Sequence, residues 1–163
     1  MARNYKQGFY QPINPSKYKG DINNIVFRSS WERRFLYWCD MNPKVIAYAS
    51  EEVVVPYLCQ TDNKMHRYFV DFWARILVNK ETGKTQDYLF EIKPAKETRM
   101  PIKRKRQKES NYLYECQTYI KNISKWKAAK EFATKHGMKF FLVTENTKGF
   151  IPELKKSKRT KKT

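Results

Sequence analysis

The sequence predicts an α+β domain in which helices flank a mixed central sheet, and three observations carry that prediction. An apolar stripe at helical spacing begins near residue 30, β-branched and aromatic segments fill residues 45 to 93, and helical patterning followed by one more strand returns after residue 110. The 163 residues suit one domain, long enough to bury a core and short for two domains. The expected division is an extended arm over 1–25, a folded domain over 26–150 and a basic tail over 151–163.

The arm is rich in Asn, Tyr, Pro and Lys, which favours an extended segment packed through its aromatic rings. The first helix follows from Trp31, Phe35, Trp38 and Cys39, with Ser29 or Ser30 as its N-cap and Asn42-Pro43 as its stop. VIAYAS and VVVPYL are short strands, and Pro56 points to a sheet edge or a bulge. After the polar turn TDNK, RYFVDFWARIL is read as one strand; NKETGKTQ, with Gly83, turns the chain into DYLFEIK, and these last two strands form an antiparallel hairpin. Residues 94–110 make a basic connection with two prolines, expected to be mobile without a ligand. Tyr112, Cys116, Tyr119 and Ile120 predict a short helix. A second, capped by Asn122 or Ser124, puts Trp126, Ala129 and Ala133 on one face and ends at Gly137. MKFFLVTE is the final strand, and the tail KKSKRTKKT has nothing to bury and is expected to be disordered.

Composition narrows the function. Thirty-four Lys and Arg against 16 Asp and Glu leave a formal charge of +18, which calls for a polyanion, with nucleic acid first among candidates. No apolar run reaches the ~18 residues of a membrane span and no signal peptide is evident, which argues against insertion and export. The three cysteines are widely spaced and lack a C-x-x-C pair, and His66 and His136 stand apart from them, so a reduced cytosolic setting without a zinc cluster is expected. Five glycines and no G-x-x-x-x-G-K argue against a nucleotide cofactor.

The chemistry is expected in the hairpin. Alternation puts Tyr88, Phe90 and Ile92 on one face and Leu89, Glu91 and Lys93 on the other. With a turn centred near Glu81 or Thr82, Asp71 falls opposite Glu91 or Lys93, and a slip of one residue would undo the arrangement. Two adjacent carboxylates repel unless a cation joins them, and hard oxygen donors suit Mg²⁺ or Mn²⁺. Such an ion activates water and polarises a phosphodiester, while Lys93 adds charge where a phosphorane develops. E-x-K alone is common and more often marks a solvated sheet edge; the pairing with Asp71, whose neighbours are apolar (Phe69, Val70, Phe72, Trp73), favours a functional acid. Glu32 has two readings: it closes an S-S-W-E capping box, and it lies beside Phe35 and Leu36, where it could lean toward a metal.

With Glu32, Asp71 and Glu91-Ile92-Lys93 in this order, the chain resembles the PD-(D/E)xK nuclease superfamily and its restriction-endonuclease-like core. Within it, FRSSWE, RYFVDFW, EIKPAKET and KWKAAKEFATKHGMKFFLVTE resemble the head completion nucleases of T-even-like bacteriophages, a group similar to the endonuclease subunit of certain transposases. The likeness runs from about residue 18 to 145. It implies a nuclease-like domain with Asp71 and Glu91 as metal-binding acids, Ile92 offering its backbone carbonyl, Lys93 as the catalytic lysine and Glu32 as the helix-one acid. Val70 stands where the superfamily has proline.

The resemblance further implies trimming or handling of packaged DNA ends, phage head, portal or neck proteins as partners, and action in the host cytoplasm during assembly, with the virion head as a second location. Lys103, Arg104, Lys105 and Arg106 in KRKRQK are expected to track a phosphate backbone, as are Lys96 and Arg28. A charge run is also often just a solvated face. The expected function is a Mg²⁺- or Mn²⁺-dependent DNA endonuclease of the head completion type. Two alternatives stay open: a non-catalytic DNA-binding or capsid-neck protein on the same fold, and a junction resolvase or transposase endonuclease using the same site.

Overall fold

The computed structural model describes residues 7–147. Strand β1 (Gly8–Phe9) pairs with β2 (Val26–Phe27), and a 3-10 turn at Pro15–Lys17 lies between them. Helix α1 (Ser30–Met41) is followed by β3 (Val45–Ser50), β4 (Val54–Cys59), β5 (Lys64–Phe69), β6 (Phe72–Asn79) and β7 (Lys84–Ile92). A second 3-10 turn (Ala95–Thr98) leads into α2 (Glu109–Lys135) and β8 (Lys139–Val143). The central sheet has the order β3-β6-β7-β8, with β3, β6 and β7 antiparallel and β8 parallel to β7. A parallel neighbour requires a crossover, and α2 supplies it. β4 and β5 form a separate two-stranded ribbon.

Alternation along β7 divides the interior. Tyr88, Phe90 and Ile92 join Phe35, Leu36 and Cys39 of α1 in one core, where the Phe35 ring lies 4.6 Å from that of Phe72 and 5.0 Å from that of Phe90. Leu89 enters the other core, with Val55, Tyr57 and Tyr68 of the ribbon and Ala129 and Ala133 of α2. Burying a residue such as Leu89 contributes about 2 kcal/mol.

Helix ends follow local rules. Ser29 caps α1, its Oγ accepting from the Glu32 amide at 3.1 Å, and the helix stops at Asn42 before Pro43. At the end of α2, Gly137 takes φ +68°, so that the amides of Gly137 and Met138 donate back to Thr134 and Ala133 at 3.2 and 2.7 Å.

Two expected elements are corrected. The short helix and its capped successor are one 27-residue helix, α2. No Gly or Pro interrupts residues 109–135, and the expected caps are buried in mid-helix. Ser124 Oγ donates back to the Ile120 carbonyl at 2.9 Å and accepts from the Gln60 amide at 3.4 Å, so a tertiary contact uses its capping capacity. The single strand RYFVDFWARIL is broken at Val70-Asp71. The Val70 amide bonds Val53 and the Asp71 carbonyl accepts from Glu51, after which the chain moves from the ribbon into the central sheet. Tyr68 and Val70 pack in the α2 core, whereas Phe72 and Ala74, of the same parity, pack in the α1 core. The chain rolls over at Asp71.

The described part of the arm is held by Asp40, a fully buried carboxylate at the end of α1. It accepts from Tyr10 Oη at 2.9 Å and from the amides of Ile13 and Asn14 at 2.6 and 2.9 Å, while Lys17 Nζ binds the carbonyl oxygens of Asp40 and Asn42 at 2.8 Å each. Asp40→Ala removes the shared acceptor of the Ile13 and Asn14 amides and leaves the buried Tyr10 hydroxyl without its partner, and is expected to cost about 3 kcal/mol, read as a lower midpoint in urea unfolding. The basic tail over 151–163 lies outside the described residues.

Candidate active site

The β6/β7 register pairs Phe72 with Phe90 and Trp73 with Leu89, centring the hairpin on Glu81. One step further, Asp71 stands across from Glu91. Glu91 leaves the sheet on the α2 side, since its neighbours Phe90 and Ile92 point toward α1, and the Asp71 carboxylate shares its surroundings, acting with Glu91 on Tyr68, Lys93 and Lys125.

Asp71 occupies the bend where the chain changes sheets, and its Oδ2 accepts the Ile92 amide at 2.9 Å. Glu91 is 3% exposed; one of its oxygens accepts a short hydrogen bond from Tyr68 Oη, and the other lies 3.3 Å from Lys93 Nζ. Lys93, two residues along the same face, is half-buried, and its amide bonds the Val143 carbonyl of β8 at 3.0 Å. From α2, Lys125 Nζ sits over the Tyr68 ring at 5.5 Å.

Burial and charge pairing compete in this cluster. Burial, then the Glu91 carboxylate, pushes Asp71 well above the usual carboxylate range, against the Ile92 amide and Lys93, with Glu32 adding to the rise. Burial pulls Lys93 down, but Glu91 and Asp71 outweigh it and the net shift is upward. Lys125 is lowered, chiefly by burial, although Glu91 holds it up. Burial and Glu91 raise the Tyr68 phenol, which stays protonated and donating. Two adjacent carboxylates, one of which tends to keep a proton, have the donor set for a hard divalent cation in the proton's place.

Glu32 is not drawn in as closely. Its carboxylate accepts from the Arg28 amide at 2.7 Å and from Ser29 Oγ at 3.2 Å, so it closes the α1 N-terminus and reaches Asp71 only through its field. Of the residues expected to meet phosphate, Arg28 pairs with Glu51, Lys103 with Glu109, and Arg104 Nη2 with Glu115 at 2.7 Å. Lys96, Lys105 and Arg106 are exposed. Exposed pairs of this kind are worth little and exchange readily for a phosphate.

Sequence reasoning missed Tyr68 and Lys125. Tyr68 reaches Glu91 only because the chain rolls over three residues later. Lys125 is one lysine among many, and its sole signal is the four-residue spacing from Lys121 beside the buried Asn122–Trp126 stripe. His66, which stands apart from the cysteines in the sequence pattern, has a cysteine beside it in the structure. Its ring lies with Cys59 and Asp62 in a group whose ligand atoms are all within 4.8 Å of one another, because the hairpin turn brings together residues that stand seven apart in the sequence.

Comparison with known proteins places these residues in context. The family described as TnsA-like endonuclease N terminal matches residues 42–145, a span holding Asp71, Glu91 and Lys93 but not Glu32. The chain is 40% identical over 142 residues to the head completion nuclease of Enterobacteria phage T4, covering 85% of this chain and 91% of that protein. No solved structure matches. Both matches fall on the group that the sequence resembles, and the mixed sheet between two helices is the restriction-endonuclease-like fold of that group.

Proposed function

Because the chain belongs to the TnsA-like endonuclease N-terminal family, we propose that it is a divalent-metal-dependent DNA endonuclease whose site is Asp71, Glu91 and Lys93. The observation that supports this reading most is the acid pair itself, a buried Glu91 facing a half-buried Asp71 that is pushed toward holding a proton, with Lys93 3.3 Å from Glu91. Asp71 and Glu91 would hold Mg²⁺ or Mn²⁺, with the Ile92 carbonyl as a further ligand. Bound there, the ion supplies Lewis-acid polarisation of a phosphoryl group and a more acidic water.

The chain's own groups do the rest. Lys93 places a compact positive charge beside the reacting phosphate, stabilising the oxygens that gain charge as the phosphodiester is attacked. Tyr68 fixes the orientation of Glu91 through its hydroxyl. Lys125, on the opposite wall, adds a second cation that a phosphate can meet. Glu32 contributes its field at Asp71 and caps α1 rather than ligating the metal. Arg28, Lys96 and the loop residues Lys103, Arg104, Lys105 and Arg106 hold the DNA backbone, giving salt-sensitive, sequence-independent affinity. The name of the phage T4 relative points to head completion, so the substrate in this reading is DNA at a filled phage head, met in the host cytoplasm during assembly. Portal or neck proteins would then be partners.

The test is incubation of the purified protein with linear and supercoiled DNA in Mg²⁺, Mn²⁺ or EDTA. Strand cleavage is expected with either ion and none with the chelator. Cleavage that survives chelation rejects the mechanism, and DNA binding without cleavage in either ion assigns the chain to the non-catalytic DNA-binding or capsid-neck role.

A further inference from the structure

At the tip of the β4–β5 ribbon, Cys59 pairs with Lys64 and Tyr57 with His66, so Cys59 and His66 are diagonal neighbours on one face. The turn between them is tight: Asn63 takes φ +56°, its amide donates to the Cys59 carbonyl at 2.8 Å, and Asp62 Oδ1 accepts the Lys64 amide at 3.1 Å. This leaves Asp62 Oδ2 facing His66 Nε2 at 2.7 Å. Cys59 is 1% exposed, its Sγ 3.0 Å from Thr61 Oγ1, while His66 stacks on Tyr57 with ring centroids 5.7 Å apart.

We propose that Cys59, Asp62 and His66 form a binding site for one zinc-class divalent ion, separate from the acid pair. The sulfur, imidazole and carboxylate donors lie within 4.8 Å of one another, on a hairpin whose register fixes two of them. Tetrahedral zinc needs such donors roughly 3.2–3.7 Å apart, given its bond lengths, so small side-chain rotations close the site. The Asp62–His66 contact opens by about half an ångström or slightly more and Cys59 draws in. A thiolate among the ligands selects a borderline cation over Mg²⁺. Binding takes the proton from Cys59 Sγ and releases it to solvent, and water fills the fourth position.

Without an ion, Asp62 and His66 are an exposed pair of little worth. With one, the ribbon that carries Tyr68 to Glu91 is pinned at its free end, through the Tyr57 ring that stands edge-on to Tyr68 at 6.4 Å.

The experiment titrates Co²⁺, as a zinc surrogate, into the full-length reduced protein after chelator treatment. One equivalent is expected to produce a near-ultraviolet sulfur-to-cobalt charge-transfer band, which added Zn²⁺ then removes. His66→Gln and Asp62→Asn alter exposed side chains and leave the fold intact. Each is expected to weaken binding by at least about 10- to 100-fold, the range that even an outer partner of a metal ligand commands. Cys116→Ser and Glu91→Gln keep the band, the latter because the acid pair has no sulfur; loss of DNA cleavage in Glu91→Gln is thus scored apart from this site. No band in the unmodified protein, or an unchanged one in His66→Gln, overturns the proposal.

Discussion

Glu91→Gln is expected to lower DNA cleavage by roughly 10³-fold or more, about 4 kcal/mol of transition-state stabilisation, while DNA affinity is unchanged or rises. Glutamine keeps the length of the side chain and still offers an oxygen to Tyr68 Oη, so the buried hydrogen bond survives. What is lost is the charge. The carboxylate faces Asp71 across the hairpin and Lys93 at 3.3 Å, and both contacts depend on that charge. With metal chelated, removing an anion from a chain of net charge +18 favours a polyanion, so binding measured in EDTA and cleavage measured in Mg²⁺ should part. Gel-shift and cleavage assays on the same preparation check this. Equal loss of both points to misfolding, and full cleavage removes Glu91 from the mechanism.

Asp71→Asn is expected to act in two directions. Cleavage should fall to a similar degree, because a neutral amide is a poor partner for a divalent cation. Stability without metal should rise at neutral pH, by on the order of 1 kcal/mol, as happens when strained functional groups are neutralised. The sign follows from linkage: burial and Glu91 raise Asp71 above its unfolded value, so the folded state binds the proton more tightly. That favourable contribution is complete below the ordinary carboxylate range and is lost as pH rises through the raised folded-state value. The unmodified protein in EDTA should therefore lose stability on going from acid to neutral pH, and Asp71→Asn should lose less. Mg²⁺ should restore the unmodified protein and leave the variant unaffected. Urea midpoints across pH, with EDTA or Mg²⁺, decide it; a variant less stable than its parent at neutral pH would show that Asp71 is not under electrostatic strain.

Much of this architecture could be read from the sequence. The α1 cap at Ser29, the stop at Asn42-Pro43, the strand VIAYAS, the turn at Gly83 and the Gly137 cap each arise from residues within a few positions of one another. The juxtaposition of Asp71 and Glu91 was legible for the same reason, since strand alternation and turn length suffice to set a hairpin register.

The tertiary structure decided what local pattern leaves open. Asn122 and Ser124 are good caps by type, yet contacts from the ribbon and the α2 core made them the middle of a helix. RYFVDFWARIL alternates without interruption, and only the bonds from Val53 and Glu51 reveal that the chain changes sheets at Asp71. That rollover brings Tyr68 onto Glu91, and α2 brings Lys125 over Tyr68. Asp40 became the anchor of the arm, and Glu32 was committed to its cap, by backbone amides that periodicity cannot place. The sequence by itself determined which acids share a face, because register is a local property of a hairpin. Which phenol, ammonium and amide groups surround those acids is a property of segments distant in the chain, set when two cores close on opposite faces of one sheet.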